Sequence, residues 1–557
     1  MALKEDPSLN SGYSVPVKAV GKCAQPEIAV EANETSGKPV ITWEKIPGAK
    51  KYEVYRAASA GGTYKKVKTT TSRSYTDTSA AVGTTYFYKL KAVGSKSTYN
   101  SVDSQTVSCT AICAQPVVTL KVDAATGKPS LTWKAITGAA GYEISRAEAA
   151  DGIFTVLTEP QTALSFADTS AAPDTDYWYQ VRAIGAAENL NSAVSAAKMI
   201  HATLAKPAVT FEIDPVDGKP VISWEAVEGA VEYTVYRSTK STKSYKAVAT
   251  TEELDYTDAS AAVGKGYYYK VIAVGEASKS AYSAYGKLIA RCAQTVIDVT
   301  AGETSGKPVI TWEKVTGAKK YEVYRSDAED GTYKKVKTTT SRTYTDTAAV
   351  VGTTYFYKVR ALGSKSAYNG EYSESQSCLT VCAQPAVTLK TAADTGKPVL
   401  SWKAISGATG YEILRSENGS EYVPVSTQAA VGFTDETAVV DGKYSYKVTA
   451  VAENPEWNSW EALTADIFAA CAQPVVTIAL DGKKPLISWE AVDGAVTYDI
   501  YRSTKKSSGY KKIATVEDGE SCTDSTAKKG KTYYYKVVAV SENASSAYSA
   551  YVKIKSK

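Results

Sequence analysis

The sequence predicts an all-β protein made of tandem β-sandwich domains, and three observations lead to this prediction. A tryptophan-centred phrase recurs six times along the 557 residues. Around each of these tryptophans, apolar and polar residues alternate with a period of two, which is typical of strands with one buried face. Turn sequences such as ETSGKP and SAAVGT separate these segments, and sustained helical periodicity is absent.

The tryptophan repeat predicts the domain organisation. Its members are separated by 90, 91, 88, 90 and 87 residues and are Trp43, Trp133, Trp224, Trp312, Trp402 and Trp489. Self-similarity at a fixed period indicates repeated structural units, so we expect six domains. We number these copies one to six, at residues 23–112, 113–203, 204–291, 292–381, 382–470 and 471–557.

A longer period lies over the first. The tryptophans of copies one and four are 269 residues apart, those of copies two and five 269, and those of copies three and six 265. Shared sequences agree with this longer period, since GKPVITWEK occurs in copies one and four and SAYSAY occurs in copies three and six. A three-domain unit has therefore been duplicated in tandem, as is typical of length-variable arrays.

The residue pattern of each copy predicts the same strands in the same order. PVITW alternates toward an inward tryptophan, and YEVYR presents Tyr and Val on one face. TYFYKLKAV places Tyr86, Tyr88 and Leu90 on one side and Phe87 and Lys89 on the other. About seven short strands per copy, separated by regular turns, predict an immunoglobulin-like sandwich.

Three of these strands resemble those of fibronectin type III domains: the tryptophan strand, the Y-x-V-x-R strand and the G-T-x-Y-x-Y-x-V-x-A-V strand. One residue per copy matches the family's tyrosine near the start of strand F, namely Tyr86, Tyr177, Tyr267, Tyr355, Tyr444 and Tyr533. The SYTDTSAAVGTTYFYKLKAV wording is similar to tandem modules of secreted and surface proteins from gut clostridia. The resemblance covers nearly all of residues 23–557 and implies a tandem fibronectin type III array, a type of module that serves as spacer, adhesive domain or enzyme accessory.

The composition argues against a catalyst. The chain has one His and 40 Tyr, so we expect no His-ligated zinc, histidine proton relay or Ser-His-Asp triad in every domain. The net charge of +5 is spread along the chain and does not favour nucleic-acid binding. No apolar stretch reaches about 18 residues, so no membrane insertion is expected. We predict neither enzyme activity nor a cofactor nor a bound metal.

Cysteine, histidine and aspartate recur at domain junctions and turns. Cys109/Cys113 and Cys378/Cys382 form C-x-x-x-C pairs, which are either local disulfides that require a bend or half-buried junction thiols. His201 is interpreted as a solvated linker residue. One aspartate per copy is expected to accept backbone hydrogen bonds in a turn. These aspartates are Asp77, Asp168, Asp258, Asp346, Asp435 and Asp524.

A candidate binding surface lies on the outward face of the Y-x-V-x-R strand, here called strand C, and of the G-T-x-Y-x-Y-x-V-x-A-V strand, here called strand F. Its outward pairs are Tyr55/Phe87, Ser145/Trp178, Tyr236/Tyr268, Tyr324/Phe356, Leu414/Ser445 and Tyr501/Tyr534. A lysine follows two residues after the strand-F member in five copies, at Lys89, Lys270, Lys358, Lys447 and Lys536. Aromatic and basic groups side by side suit a protein or glycan contact. The alternative is cross-strand pairing that stabilises an exposed sheet. Copy five lacks the aromatic pair and is expected to bind little by this route.

Copy five carries two additional tryptophans, Trp457 and Trp460, in its F–G loop region. They either recognise a partner or cover the junction with copy six. Residues 1–22 are interpreted as the remnant last strand of a preceding module or a disordered lead, because LNSGYSVPVKAVGKC parallels SAYSAYGKLIARC. We therefore expect the natural protein to extend on the N-terminal side.

These features favour a non-enzymatic binding or adhesion segment of a secreted or surface protein of bacteria. Its expected partner is a host protein, such as an immunoglobulin or mucin, or a glycan. The alternatives are a passive spacer and an accessory region of a larger secreted enzyme. Short junctions that contain Pro predict a monomeric, semi-rigid rod.

Overall fold

The computed structural model describes Asp6, Val15 and residues 19–557. The interpretation of residues 1–22 therefore falls mostly outside the described residues. The chain divides into two compact units. The first comprises Met1–Glu212, Val221–Asp258 and Gly266–Leu288, and the second comprises Ile213–Pro220, Ala259–Lys265 and Ile289–Lys557. Copies one and two thus belong to the first unit, copies four to six belong to the second, and copy three contributes to both.

The strands of the first three copies follow one order. Copy one contains β1 (Ile28–Ala32), β2 (Pro39–Trp43), β3 (Lys51–Ala57), β4 (Lys65–Thr70), β5 (Ser74–Thr76), β6 (Thr85–Val93) and β7 (Val107–Thr110). Copy two contains β8 (Thr119–Val122), β9 (Pro129–Thr132), β10 (Ala139–Ala147), β11 (Thr155–Val156), β12 (Ser165–Ala167), β13 (Thr175–Gly185) and β14 (Lys198–Ala202). Copy three contains β15 (Val209–Ile213), β16 (Pro220–Trp224), β17 (Glu232–Ser238), β18 (Lys246–Thr251), β19 (Asp255–Thr257), β20 (Gly266–Val274) and β21 (Gly286–Ile289).

The last three copies repeat this order. Copy four contains β22 (Ile297–Ala301), β23 (Pro308–Trp312), β24 (Lys320–Ser326), β25 (Lys334–Thr339), β26 (Thr343–Thr345), β27 (Thr354–Leu362) and β28 (Gln376–Leu379). Copy five contains β29 (Thr388–Thr391), β30 (Pro398–Ser401), β31 (Gly410–Glu417), β32 (Val423–Gln428), β33 (Gly432–Thr434), β34 (Lys443–Val451), β35 (Ala462–Leu463) and β36 (Ile467–Phe468). Copy six contains β37 (Val476–Asp481), β38 (Lys484–Trp489), β39 (Thr497–Ser503), β40 (Lys511–Val516), β41 (Ser521–Thr523), β42 (Thr532–Val540) and β43 (Val552–Lys555). Among the described residues, four short 3-10 helices occur at Ser97–Tyr99, Glu188–Leu190, Ser366–Tyr368 and Pro455–Trp457.

Within the described residues these strands form twelve sheets. Copy one has a three-stranded sheet of order β1-β2-β5 and a four-stranded sheet of order β4-β3-β6-β7. The other copies repeat this arrangement, except that the last edge strand of copy five is divided into β35 and β36, which both pair with β34. The prediction of an all-β chain of repeated immunoglobulin-like sandwiches is confirmed, while the six domain boundaries stay predictions.

The two sheets of a copy pack through the inward residues of their strands. In copy one, Ile41 and Trp43 from β2 contact Val54 from β3 and Leu90 from β6 in one buried cluster. The Trp43 and Tyr52 rings lie 5.4 Å apart, and the equivalent rings of the other copies lie 5.1–5.4 Å apart. Such aromatic pairs add about 1 kcal/mol beyond their burial. The repeated tryptophan is therefore a core residue.

A buried ion pair recurs beside this core. The Asp77 carboxylate accepts hydrogen bonds from Arg56 at 2.7 Å, Tyr88 at 2.9 Å and the Ser79 backbone N–H at 3.1 Å. Burial opposes ionisation of Asp77, but hydrogen bonds from Arg56, Ser79 and Tyr88 outweigh it and lower the pKa of the carboxyl group. The aspartate accepts a turn N–H as expected, and it also joins the sheets. The equivalent triads are Arg146–Asp168–Tyr179, Arg237–Asp258–Tyr269, Arg325–Asp346–Tyr357, Arg415–Asp435–Tyr446 and Arg502–Asp524–Tyr535.

Successive copies meet through the turn that precedes the longest strand. In the first unit, Val82 of copy one packs against Gly138 and the core of copy two. Gly138 has φ +83, and a Cβ at this position would lie 2.6 Å from Val82, so both conformation and space favour glycine. We call the residues that make this contact the junction residues: Val82 on Gly138, Pro173 on Gly229, Val263 on Gly317, Val351 on Gly407 and Val440 on Gly494.

Candidate functional site

The predicted outward aromatic residues lie on the four-stranded sheets, and they are offset along the strands. In copy three, Tyr236 on β17 is directly opposite Lys270 on β20, whereas Tyr268 is opposite Ser238. In copy one, Tyr55 is opposite Lys89 and Phe87 is opposite Ala57. The same offset holds for Tyr324 and Phe356 in copy four and for Tyr501 and Tyr534 in copy six. All eight of these aromatic side chains are half-buried. The cross-strand neighbour of the strand-C tyrosine is therefore the lysine.

That lysine lies over a second tyrosine that the sequence analysis did not single out. The Lys270 ammonium is 4.4 Å from the centre of the Tyr245 ring, within the range of a cation–π interaction. The corresponding pairs are Lys89 over Tyr64 at 4.3 Å, Lys358 over Tyr333 at 4.5 Å, Lys447 over Tyr422 at 4.8 Å and Lys536 over Tyr510 at 5.0 Å. In copy two the lysine position is occupied by Gln180, opposite Ser145.

Copies three and six extend this surface with two further tyrosines from the SAYSAY segment. Ser280 and Ser283 are buried and accept hydrogen bonds from the backbone N–H groups of Ala273 and Val271, both at 2.9 Å. With every third residue held inward, Tyr282 and Tyr285 project outward and are 49% and 51% exposed. The SAYSAY segment thus fixes its backbone through the buried serines and places its two tyrosines on the surface.

The added rings contact the predicted ones edge to face. Tyr282 lies 5.2 Å from Tyr236 and Tyr285 lies 5.7 Å from Tyr268. Lys270 is also 5.2 Å from the Tyr282 ring, and Lys287 is 5.6 Å from the Tyr268 ring. We call this surface the tyrosine–lysine face of copy three. It consists of Tyr236, Tyr245, Tyr268, Lys270, Tyr282, Tyr285 and Lys287.

Copy six carries the same arrangement. Tyr501 contacts Tyr548 at 4.9 Å and Tyr534 contacts Tyr551 at 5.6 Å. Tyr548 and Tyr551 are 45% and 39% exposed. The tyrosine–lysine face of copy six consists of Tyr501, Tyr510, Tyr534, Lys536, Tyr548, Tyr551 and Lys553. One face therefore occurs in each half of the duplicated sequence.

In copies one and four a glutamate accepts a hydrogen bond from the first tyrosine of the corresponding surface, whereas Asp499 of copy six pairs with Lys512 and Thr515. The Tyr55 hydroxyl donates to Glu53 at 2.7 Å, and Lys66 pairs with the same carboxylate at 3.0 Å. The hydrogen bond from Tyr55 lowers the pKa of Glu53, while burial and that carboxylate raise the pKa of Tyr55 to about 12. In copy four, Tyr324 and Lys335 contact Glu322 in the same way. Polar groups on these two faces are therefore already paired within the sheet.

Copies two and five depart from the pattern in different ways. Trp178 of copy two is half-buried on β13, between Ala147 on β10 and Met199 on β14. In copy five, Leu414 is opposite Lys447, and the Ser445 hydroxyl is 2.9 Å from the Tyr422 hydroxyl.

The two extra tryptophans of copy five have separate environments. Trp457 ends the 3-10 helix Pro455–Trp457 and packs on Gly352 of copy four, where an added Cβ would lie 2.9 Å from the indole. Its carbonyl accepts a hydrogen bond from the Cys382 N–H at 2.8 Å. The expectation that Trp457 covers the junction with copy six is therefore wrong, since the helix lies at the copy-four end of the module. Trp460 is 40% exposed.

The other candidate residues have structural surroundings. All eight cysteines are free thiols, and burial raises the pKa of Cys113 and Cys382. The reading of His201 as a solvated linker residue is wrong, because it lies on β14 and contacts Asp176 at 2.8 Å and Asp174 at 3.2 Å. Among the described residues, no group of three or more His, Cys, Asp or Glu side chains is arranged to hold a metal ion. In the same part of the chain, no helix is long and apolar enough to span a membrane.

No family model matches the chain. Among curated proteins, it is 27% identical over 314 residues to Exoglucanase B of Cellulomonas fimi, covering 51% of this chain and 26% of that protein. It is 35% identical over 82 residues to an amylopullulanase of Thermoanaerobacter thermohydrosulfuricus, covering 14% of this chain and 6% of that protein. The chain thus spans about a quarter or less of these relatives.

Solved structures were also matched. The FN1-FN3 domains of chicken CNTN1 are 18% identical, with coverage of 48% of this chain and 99% of that chain and a TM-score of 0.19. An Fn3-like protein from Clostridium thermocellum is 36% identical, with coverage of 15% and 91% and a TM-score of 0.15.

Proposed function

We propose that this tandem fibronectin type III array is a non-catalytic binding segment of a secreted protein and contacts a glycan through the tyrosine–lysine faces of copies three and six. The observation that carries the proposal is the duplicated surface itself. Five tyrosines and two lysines share one sheet face in each of these copies, and the outermost tyrosines are 39–51% exposed.

The chemistry of the face supports a sugar chain as the ligand. Exposed phenol rings offer flat apolar surfaces together with hydroxyl groups that donate and accept hydrogen bonds. Sugar rings present both C–H faces and hydroxyl groups, so they complement both parts of a tyrosine. The two curated relatives, Exoglucanase B and the amylopullulanase, are named as enzymes that act on carbohydrates. This similarity favours a glycan over a host immunoglobulin as the ligand.

Duplication strengthens such a contact. A single exposed face of a few aromatic side chains supports only weak binding, since association entropy must be overcome. Two faces on one chain make the second contact intramolecular, which raises avidity on a polymer with repeated ligand sites. We therefore expect the full chain to bind a polysaccharide more tightly than a short oligosaccharide of the same sugar.

The test uses the full chain and a panel of soluble polysaccharides, mucin and serum proteins, with affinity electrophoresis and calorimetry as readouts. The variants are Tyr282→Ala with Tyr285→Ala, Tyr548→Ala with Tyr551→Ala, and all four together. Each pair is expected to weaken polysaccharide binding about tenfold, because each ring contributes about 0.5–1.5 kcal/mol. Tyr372→Ala is the matched control, since Tyr372 is 37% exposed at the related position of copy four.

Two outcomes would contradict the proposal. One is that the unaltered chain retains no polysaccharide of the panel. The other is that Tyr372→Ala weakens binding as much as the paired variants. If the variant without all four tyrosines still binds mucin or immunoglobulin, other residues make that contact. Trp460 and Trp178 are then the first to substitute.

An accessory region of a larger secreted enzyme is the second candidate, and the two curated relatives favour it. Within each unit the junction residues pack into the next module, which suits a region that holds other domains apart. Removing the whole array from its parent protein would then lower activity on insoluble polysaccharide, whereas the four-tyrosine variant would keep it.

A further inference from the structure

Copy six carries a dense group of lysines where the other copies carry their junction residue. We call this group the lysine tip. It consists of Lys483, Lys528, Lys529, Lys531, Lys555 and Lys557, all of which are exposed.

Backbone hydrogen bonds bring these lysines together from three segments. The Gly530 N–H donates to the Ser556 carbonyl at 2.9 Å, and the Ser556 N–H donates to the Lys531 carbonyl at 3.0 Å. The Lys557 N–H donates to the Lys483 carbonyl at 3.2 Å. The turn after β41, the end of β43 and the β37–β38 turn therefore form one continuous surface.

The same hydrogen bonds identify the equivalent positions in copy one. There Gly83 donates to Ala111, Ala111 donates to Thr84, and Ile112 donates to Gly37. Thr85 is paired with Thr110 as Thr532 is paired with Lys555. The six positions of the lysine tip are thus Gly37, Ala81, Val82, Thr84, Thr110 and Ile112 in copy one, and none of these is charged. In copy six every one of them has become lysine.

Lys529 occupies the place of the junction residue. In copy four the equivalent surface is covered by the next copy, where Trp457 lies on Gly352. The surface that elsewhere packs on the next module is therefore a charged surface in copy six.

The lysine tip carries charges almost entirely of one sign. None of the ion pairs formed by described residues involves a lysine of the tip. The nearby Asp481 carboxylate accepts a hydrogen bond from the Thr523 hydroxyl at 3.3 Å. A surface that only maintains solubility mixes both signs, because like charges repel one another. A single-sign cluster of this density favours an anionic partner.

We propose that the lysine tip binds an acidic polysaccharide, at a site separate from the tyrosine–lysine faces. Lysine ammonium groups are point charges on flexible stems, so they recognise charge density rather than one fixed geometry. The tip has no aromatic member to stack on nucleic-acid bases and no exposed apolar member to enter a lipid surface. A flexible polymer with one carboxylate or sulfate per sugar can bring several anionic groups to the six lysines at once.

The test measures retention of the full chain by polygalacturonate and dextran sulfate, with neutral dextran as the reference, from about 50 to 500 mM salt. The tip variant is Lys528→Gln, Lys529→Gln and Lys531→Gln. The control removes three exposed lysines of copy one, Lys65→Gln, Lys68→Gln and Lys96→Gln. We expect salt-sensitive retention by both acidic polymers, a loss of at least about tenfold in the tip variant and little change in the control.

The proposal is overturned if the unaltered chain is not retained at low salt or if the control loses as much as the tip variant. Equal retention by duplex DNA or by anionic phospholipid vesicles would overturn the polysaccharide assignment. The four-tyrosine variant keeps the lysine tip, so it should still be retained by dextran sulfate. Failure of the tyrosine–lysine faces and failure of the lysine tip are therefore distinguishable.

Discussion

The junction between copies two and three and the junction between copies five and six both connect successive copies through an aspartate. The two aspartates differ in their hydrogen-bond partners and in the charges around them. At three other junctions the turn carries a glycine, Gly83, Gly264 or Gly352, and a bulky side chain of the next copy packs on it. Here the glycine is replaced by Asp174 or Asp441, with φ 58 and φ 65. Each carboxylate reaches into the next copy and accepts hydrogen bonds from its F–G loop.

The two aspartates differ in their number of partners. Asp174 accepts from the Ala277 N–H at 2.8 Å. Asp441 accepts from the Ser541 hydroxyl at 2.6 Å, the Asn543 N–H at 2.8 Å and the Glu542 N–H at 3.1 Å. Burial opposes ionisation of Asp441, but the bonds from Ser541, Asn543 and Glu542 outweigh it and lower its pKa. The aspartate of the second triplet therefore accepts more hydrogen bonds from the next copy.

Their surroundings differ in charge as well. His201 contacts both Asp174 and Asp176 at the first junction. Register places Phe468 and Lys443 at the positions of His201 and Asp176 in copy five. Lys443 pairs with Asp466 at 2.6 Å. The first of these two junctions therefore contains the single histidine of the chain, a side chain whose charge depends on pH.

The largest expected effect comes from filling the glycine opposite the junction residue. In Gly229→Ala the new Cβ lies 2.9 Å from Pro173, and in Gly494→Ala it lies 2.8 Å from Val440. Strain at positive φ and overpacking together should cost about 3 kcal/mol for Gly229→Ala, because proline has no rotamer with which to yield. Gly494→Ala should cost at least as much, since the Val440 Cβ itself lies 2.8 Å from the new methyl group and no rotamer change moves it.

Hydrogen exchange in the full chain measures these costs at the loop between β16 and β17 in copy three and at the loop between β38 and β39 in copy six. Gly48→Ala is the control for backbone strain alone, because its φ is +82 and its nearest neighbour is 3.9 Å away. An equal effect of Gly48→Ala and Gly229→Ala would show that junction packing contributes nothing.

The next effect separates the two carboxylates. Asp441→Gly keeps a residue suited to positive φ and removes three hydrogen bonds, so the F–G loop of copy six should lose about 2 kcal/mol of local stability. Asp174→Gly removes one such bond and should cost copy three about half as much. Amide exchange at Asn543 and Ala277 reports the two values in the full chain. A cost at Ala277 equal to or larger than that at Asn543 would contradict the comparison.

The sequence predicted the sandwich fold because its signals are local. Inward residues such as Trp43 on β2 and Tyr52 on β3 alternate with outward ones within each strand, and turn residues mark where the strands end. The outward tyrosines on strands C and F followed from the same alternation. Tyr282 and Tyr285 did not, because the SAYSAY segment has a period of three that neither a strand nor a helix shows. That period, present in both copies, was the available signal.

Contacts between copies were beyond sequence reasoning for a different reason. One of the two alternatives for Trp457 placed it at the junction with copy six, whereas it packs on Gly352 of copy four. The loop before the last strand of a copy lies beside the preceding copy because that strand runs back toward the following one, so strand direction decides its neighbour. The hydrogen-bond partners of His201 likewise come from β13 and from the turn before it. No recognised sequence motif links these positions, so the contacts could not be predicted.

The smallest effect concerns pH. Burial opposes protonation of His201, but hydrogen bonds to Asp176 and Asp174 outweigh it and raise the pKa of His201. A raised pKa in the folded state means that the stabilisation is fully present below about pH 6.5 and is lost as pH rises through the folded-state pKa. The Ala277 amide, held by Asp174, should therefore exchange faster at pH 8.5 than at pH 6 after correction for intrinsic rates.

The expected change is about 0.5 kcal/mol, because His201 is partly exposed and such ion pairs are weak. His201→Phe installs the residue of copy five and should remove the pH dependence at Ala277. The Asn543 amide is the internal control, since Asp441 has no histidine neighbour among the described residues. A pH dependence at Ala277 that persists in His201→Phe would assign the titration to another group and leave the two junctions alike.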